Sequence, residues 1–326
     1  MDEVRALIIE TLDATGLSYD GTGLKRHASQ GLVNDVYTIP SEQGELIVHY
    51  STLTPTLEHF HIWEKLKPVS DFLQRIPDVP AARVFATRKR DDAWVAVQEK
   101  LPGSPAGRAI VGADVVSFEW HAPFETCQEQ VEMIAARVHN TPIRGFGYPR
   151  LDEGTLRGSH DSWTNFLAAE APLWARGISA GDAECGILSG TLEEDVQRFL
   201  AHTLPRMEHI PRTSLVSSDM MNPSNILFEN GVVTGVVDWE WALIGDPAWE
   251  FCALNPYSLD HYFKYFPELM TKEARRDFLE RAALYENFAY LMWGYAVSGN
   301  PATPLARAAS KRAHKKLTEF CVERSQ

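Results

Sequence analysis

The sequence predicts an α+β protein of two lobes, a small antiparallel β-sheet lobe followed by a larger, mainly helical one. Three observations predict it. Up to about residue 100, short β-branched and aromatic runs alternate with turns. From about Phe124 onward, long stretches carry apolar residues at helical spacing. Between the two regions lies the loop "PGSPAG". A chain of 326 residues is long enough for two such units and a sizeable core.

Each element can be justified in order. "MDEVRALIIETLDATGL" has helical spacing and acidic residues, so it is expected to be a helix and not a signal peptide. "LKRHASQGLVNDVYTIPSEQGELIVHYS" reads as strand, turn, strand, turn, strand, with "SEQG" as the second turn. "TLEHFHIWEKLKPVSDFLQRI" is helical and is expected to be cut at Pro68. "AARVFAT" and "AWVAVQEKL" form another strand pair. A hinge is expected at Leu101–Gly103, dividing residues 1–100 from residues 101–326. Four long helical stretches then follow, from "ETCQEQVEMIAARVHNT" to "EARRDFLERAALYENFAYLMWGYAVSG", and only Leu215–Phe251 is expected to interrupt them with strands.

Composition excludes several functions. With 44 acidic against 31 basic residues the formal charge is -13, a surface that repels polyanions, so no nucleic-acid partner is expected. The same charge serves solubility, or a pocket for a cationic substrate. No run of about 18 apolar residues is present, so no membrane span is expected. Cys127, Cys185, Cys252 and Cys321 are scattered with no CxxC pair, which favours reduced thiols in the cytoplasm over a structural zinc site.

The decisive stretch is "LVSSDMMNPSNILFENGVVTGVVDWEWALIGDPAWEF", residues 215–251. Its order, Asn225, thirteen residues, an Asp–Trp–Glu unit, then Gly-Asp-Pro, resembles the aminoglycoside phosphotransferase and choline kinase-like family, which shares the protein-kinase fold. "QGLVNDVY" is similar to that family's phosphate-covering turn, and "GFGYPRL" with "SWTNFL" to a stretch common among its small-molecule kinases. The resemblance covers nearly the whole chain, and it implies a bilobal kinase-like fold, ATP and Mg²⁺. Phosphoryl transfer needs an in-line γ-phosphate, a metal to neutralise charge and a carboxylate beside the incoming hydroxyl. A hairpin around "ENG" would bring Asn225 and Asp238 together as an amide oxygen and a carboxylate on one metal. The resemblance makes these two the metal ligands, with Glu240 as a lesser candidate. An Asx-turn at Asn225 and a solvated turn at Asp238 would look the same from sequence.

The chain departs from the family at two places. The family's catalytic loop reads His-Gly-Asp, with the Asp five residues before the metal-binding Asn. Here Ser217 and Ser218 precede Asp219, and Asp219 lies six residues before Asn225, so an ungapped count puts Met220 in the base position. A bulge at Met220–Met221 would return Asp219 to the site as the catalytic carboxylate. The third strand normally carries a Lys or Arg for the α/β-phosphates, and "ELIVHYS" offers His49, a phosphate contact or a plain strand histidine. Glu58 is expected as its helix partner, with Glu64 second.

Softer candidates complete the nucleotide site. Gly31 and Asn34 lie in the turn expected to cover the phosphates, and backbone groups at Gln98, Glu99 and Leu101 are expected to meet the adenine edge. By the resemblance, Asp246 is structural and bonds back to the catalytic loop; an N-cap is a sufficient alternative. His139 is expected to pack or cap without catalysis. Two function classes remain open. One is an ATP-dependent kinase acting on a hydroxyl of an amino sugar, amino alcohol or related antibiotic or metabolite, as monomer or homodimer. The other is a nucleotide-binding pseudokinase, which "SSDMM" and His49 favour.

Overall fold

The computed structural model describes residues 2–27, 34–111, 116–186, 191–217, 219–252, 259–301 and 303–323. Its first lobe opens with helix α1 (Asp2–Asp13), strands β1 (Lys25–Arg26), β2 (Asp35–Ser41) and β3 (Gly44–Thr52), and helices α2 (Pro55–His59) and α3 (Ile62–Leu73). Strands β4 (Val84–Arg90) and β5 (Ala93–Glu99) complete an antiparallel sheet of order β1-β2-β3-β5-β4.

Side-chain alternation gives this sheet two buried faces. Leu46 and Val48 of β3 and Val95 and Val97 of β5 pack with Leu7, Ile8 and Leu12 of α1. Trp94 and Ala96 of β5 face the other way, into the core shared with Leu66, Val69 and Leu73 of α3. His49 is out of phase with Leu46 and Val48 and pairs with Ala96, so it falls on the α3 face.

The helical stretch after β3 breaks at a different place from the one expected. Thr54 caps α2, and the chain then turns at His61, whose φ of 51° ends one helix and starts the next. Pro68 lies inside α3 without ending it. The phase of α3 is therefore set from Ile62, and its buried stripe is Ile62, Lys65, Leu66, Val69, Ser70 and Leu73.

After the first sheet come β6 (Ser104–Pro105), the hairpin β7 (Gly107–Val111) and β8 (Val116–Trp120), and helix α4 (Phe124–His139). The hairpin β9 (Phe146–Asp152) and β10 (Thr155–His160) follows, in a region expected to be helical. Gly158 lets its strands approach: a Cβ there would sit 2.0 Å from the Phe146 nitrogen. Gly158→Ala should cost about 3 kcal/mol by overpacking. Gly154→Ala, in open space at φ 77°, should cost only the strain of about 1 kcal/mol. Denaturant midpoints of the two variants check the contrast.

Helices α5 (Trp163–Glu184) and α6 (Leu192–Thr203) lead to strand β11 (Ser214–Val216), the hairpin β12 (Ile226–Glu229) and β13 (Val232–Val236), and strand β14 (Leu243–Gly245). Helices α7 (Asp260–Phe263), α8 (Lys272–Ser298) and α9 (Pro304–Glu323) close the chain. The large core is aromatic: Trp163 stacks on Phe166 at 5.2 Å and meets Trp249 edge-on at 5.4 Å. Trp239, Trp249, Phe251 and Phe288 are buried there, as expected for core side chains. Among the described residues no helix is long and apolar enough to cross a membrane, and all four cysteines are free.

Candidate active site

Two strand registers assemble the site. In the β12–β13 hairpin, Asn230 and Gly231 both take positive φ (51° and 86°), which matches the right-handed twist of the strands. Ile226 pairs with Val236, and the Val237 N–H donates to the Asn225 carbonyl at 2.9 Å. Asp238 therefore follows directly on the residue facing Asn225. In the second register Val216 pairs with Leu243. The loop after β11 and the connection before β14 are thereby held face to face.

The extra residue in the loop is absorbed by consecutive turns. The Asn222 N–H donates to the Asp219 carbonyl at 3.1 Å, and the Asn225 N–H to the Asn222 carbonyl at 2.9 Å. Met220 and Met221 are buried, at 1% and 0% exposure, and belong to the main core. Asp219 points the other way. Its Oδ2 accepts from Asn225 Nδ2 at 2.7 Å and its Oδ1 from Asn222 Nδ2 at 3.0 Å. Ser218 lies outside the described residues.

Three carboxyls converge here. Loss of water, then the charge of Asp238, raises the pKa of Asp219 to about 7, against hydrogen bonds from Asn222 and Asn225 that lower it. Burial, then the Glu240 carboxylate, raises that of Asp238 well above the ordinary range, and burial raises Glu240 as well. Asp238 sits in the left-handed region at φ 69°, ψ 49°, a conformation that a non-glycine residue holds only when its surroundings demand it. Glu240 Oε2 is buried with no N–H or O–H donor among the described residues. Carboxylates packed like this repel one another unless a proton or a cation lies between them. Among the described residues no three His, Cys, Asp or Glu side chains are spaced to hold a metal by themselves. A side-chain amide and carboxylates with no thiol nonetheless suit a hard cation such as Mg²⁺, which needs one or two protein ligands.

The first lobe contributes from above. Asn34 donates from Nδ2 to Glu240 Oε1 at 2.6 Å, across 206 residues of sequence. His49 lines a small pocket with Ser70, Gln98, Asp238 and Glu240. Among the described residues neither ring nitrogen of His49 has a partner, and burial lowers its pKa, against the pull of Asp238. Glu58 does not meet His49. It lies in α2, upstream of the break at His61, and pairs with Lys89. Glu64 is exposed and faces His61. The helix residue that reaches the site is Lys65, 1% exposed, whose Nζ donates to the Ala242 carbonyl at 3.2 Å. Burial lowers its pKa to about 7, and Glu240 opposes that shift.

Two further expectations need correction or restriction. The backbone donors of the hinge are partly used, because Glu99 N–H bonds the Arg83 carbonyl at 2.9 Å and Lys100 N–H the Glu45 carbonyl at 3.3 Å. The central position of β5 leaves no free edge there, and Leu101 is the hinge residue with no such bond among the described residues. Gly31 lies outside the described residues.

Among the described residues Asp246 makes no bond back to the loop. Its Oδ1 caps the Ala248 N–H at 3.1 Å, and its Oδ2 accepts from Arg281 Nε at 2.6 Å and the Tyr285 hydroxyl at 2.9 Å, tying α8 to the site's floor. The loop is held instead by Glu250, fully buried, which accepts from the Ser217 N–H at 2.7 Å and the Met220 N–H at 3.1 Å. Sequence reading missed both Glu250 and Lys65. A lysine at an inward position of the stripe was a usable signal, whereas Glu250 acts on backbone groups some thirty residues away. His139 is buried against the Tyr262 hydroxyl at 2.9 Å, and burial, helped by Arg212, takes its pKa to about 3.

Solved structures resemble the chain along nearly its whole length. A thermostable mutant of aminoglycoside phosphotransferase APH(4)-Ia in its apo form matches at 16% identity and a TM-score of 0.61, covering 97% of this chain and 99% of that one. A putative fructosamine-3-kinase from Haemophilus somnus 129PT matches at 11% identity and a TM-score of 0.61, covering 98% and 99%. The gentamicin complex of APH(2")-IIa matches at 13% and 0.57, covering 100% and 96%. The fold is thus the bilobal, protein-kinase-like α+β fold of these enzymes. No curated protein matches. The model of the phosphotransferase enzyme family matches residues 27–254, and the chain belongs to that family.

Proposed function

We propose that this protein is an ATP-dependent small-molecule kinase that transfers the γ-phosphate to a hydroxyl of an amino sugar, amino alcohol or related compound. One observation carries the reading. Despite the extra residue in its loop, Asp219 is turned toward Asn225 and the Asp238 carboxyl, while both methionines are buried away from it. The coarser part of the reading follows from the family, whose members here include small-molecule kinases with solved aminoglycoside complexes.

In this reading residues 1–100 form the nucleotide lobe and residues 101–326 carry the catalytic loop and acceptor site. Asn225 and Asp238 would hold Mg²⁺, which when bound neutralises charge on the β- and γ-phosphates. Asn222 and Asn225 orient the Asp219 carboxyl, and Asp219 accepts the proton of the acceptor hydroxyl, a transfer that requires about 2.6–3.2 Å or one bridging water. Glu250 keeps the loop in place from below. Asn34 would lie over the phosphates, and the Leu101 backbone would meet the adenine edge. Glu240 is bound by Asn34 and serves as a contact between lobes more readily than as a metal ligand.

The test is ADP release with ATP and Mg²⁺ across a panel of amino sugars, amino alcohols and polyols. We expect acceptor-dependent release for at least one class. Nucleotide binding with no turnover on any acceptor would favour the pseudokinase reading, which the bare nitrogens of His49 support.

A further inference from the structure

Lys65 occupies an inward position of α3 where the pattern calls for an apolar side chain. Its neighbours in the stripe are Ile62, Leu66, Val69, Ser70 and Leu73, and it is 1% exposed. An ammonium has three N–H donors. The acceptor it meets is the Ala242 carbonyl, with the Tyr148 ring centroid 5.6 Å away. Burying such a charge against one neutral acceptor and a ring face is costly unless a counter-charge is near.

Glu240, itself 4% exposed, stands two residues before the carbonyl that Lys65 binds, and its carboxylate favours the charged ammonium against burial. Glu240 also receives the Asn34 amide. Asn34 and Lys65 both precede the hinge, whereas Glu240 follows β13 in the large lobe. Strand β3 offers only His49, whose nitrogens are buried and, among the described residues, without a partner. The helix thus carries a buried lysine bonded to the segment that follows Asp238 and Glu240.

We propose that Lys65 is a positioning residue of the nucleotide site. Its charge offsets Glu240, keeps that carboxylate turned to Asn34, and supplies the positive potential that anionic phosphates beside Asp238 require. The inference rests on the phosphotransferase reading. It also predicts that charge balance matters more than the individual side chains.

The probe is Mg·ADP binding by titration calorimetry, with thermal melting in parallel. Lys65→Met keeps the volume and removes the charge. It should weaken Mg·ADP about tenfold by loss of electrostatic complementarity, and lower Tm, because it leaves the buried Glu240 carboxylate without its counter-charge. Adding Glu240→Gln, which can still accept from Asn34, should bring affinity back to within about threefold of wild type. Wild-type affinity in Lys65→Met, or losses that multiply in the double variant, would overturn the role of Lys65. Should Lys65→Met not fold, Glu240→Gln alone is decisive. It should lower Tm, by leaving Lys65 without its counter-charge, and not weaken Mg·ADP; a clear loss of affinity would make Glu240 a ligand and overturn the proposal. A wild-type protein that binds no Mg·ADP would instead remove the phosphotransferase reading, and this inference with it.

Discussion

Asp219→Asn is expected to lower turnover roughly 10²–10⁴-fold, the range for loss of a general base. Mg·ADP affinity should stay within about threefold of wild type. The substitution keeps size and shape but cannot take up the hydroxyl proton. One of the two amide bonds to Asp219 becomes donor against donor, which an amide flip at Asn222 or Asn225 relieves. Fold and nucleotide site are therefore retained, and single-turnover kinetics should place the loss in the chemical step. Asp219→Asn with wild-type turnover would end the catalytic assignment, whatever the loop geometry.

The same carboxyl sets a pH dependence. Its pKa is about 7 in the folded, metal-free protein against an ordinary 3.8, so the folded state binds more protons than the unfolded state between those values. A raised carboxyl pKa means stability that is present below the ordinary value and lost as pH rises through the folded one. Asp238 and Glu240, also raised, act in the same direction. His139, whose pKa is lowered, acts in the opposite direction. In EDTA the Asp219 contribution therefore appears as a difference: between about pH 4 and about pH 7 the Tm of Asp219→Asn should rise relative to wild type as pH increases. A slope identical to wild type would show that the carboxyl is not desolvated in solution.

How much of this was legible depends on how locally each feature is encoded. That Asp238 follows directly on the residue facing Asn225 was readable because "ENG" sets a two-residue turn, and the turn sets the register. The β9–β10 hairpin was not, since Gly145, Gly147 and Pro149 read as loop residues, while their strand pairing depends on Gly158 lying against Phe146. The helix partner failed through phase. The expected break at Pro68 kept Glu58 and Glu64 on one helix, but the turn at His61 reset the stripe and brought Lys65 inward. Glu250 takes the role expected of Asp246, because both are buried acids of one short segment. Only the packing of α8 decides which one meets Arg281 and which one meets the loop. Bonds from a side chain to a distant backbone leave no periodic trace in a sequence.

Asp238→Asn should separate stability from activity more sharply than any other single change. Asn tolerates the left-handed backbone that Asp238 occupies, so the turn into Trp239 can persist. Removing one of three crowded carboxylates relieves their repulsion, and Tm in EDTA should be unchanged or higher. With Mg·ADP the order reverses. Wild-type protein should gain about 2.7 kcal/mol at one hundred times Kd by mass action, whereas Asp238→Asn should gain little, since an amide is a poor substitute for the anionic ligand. Turnover should fall by roughly 10² or more, the several kcal/mol expected when metal stabilisation of transferring phosphate is lost. Asp238→Ala supplies the control: it removes the same ligand but strains the αL position by about 1–2 kcal/mol, so its Tm should lie below that of Asp238→Asn. If Asp238→Asn keeps the full Mg·ADP shift in Tm, the metal lies elsewhere, and the carboxyl cluster serves the joint between lobes alone.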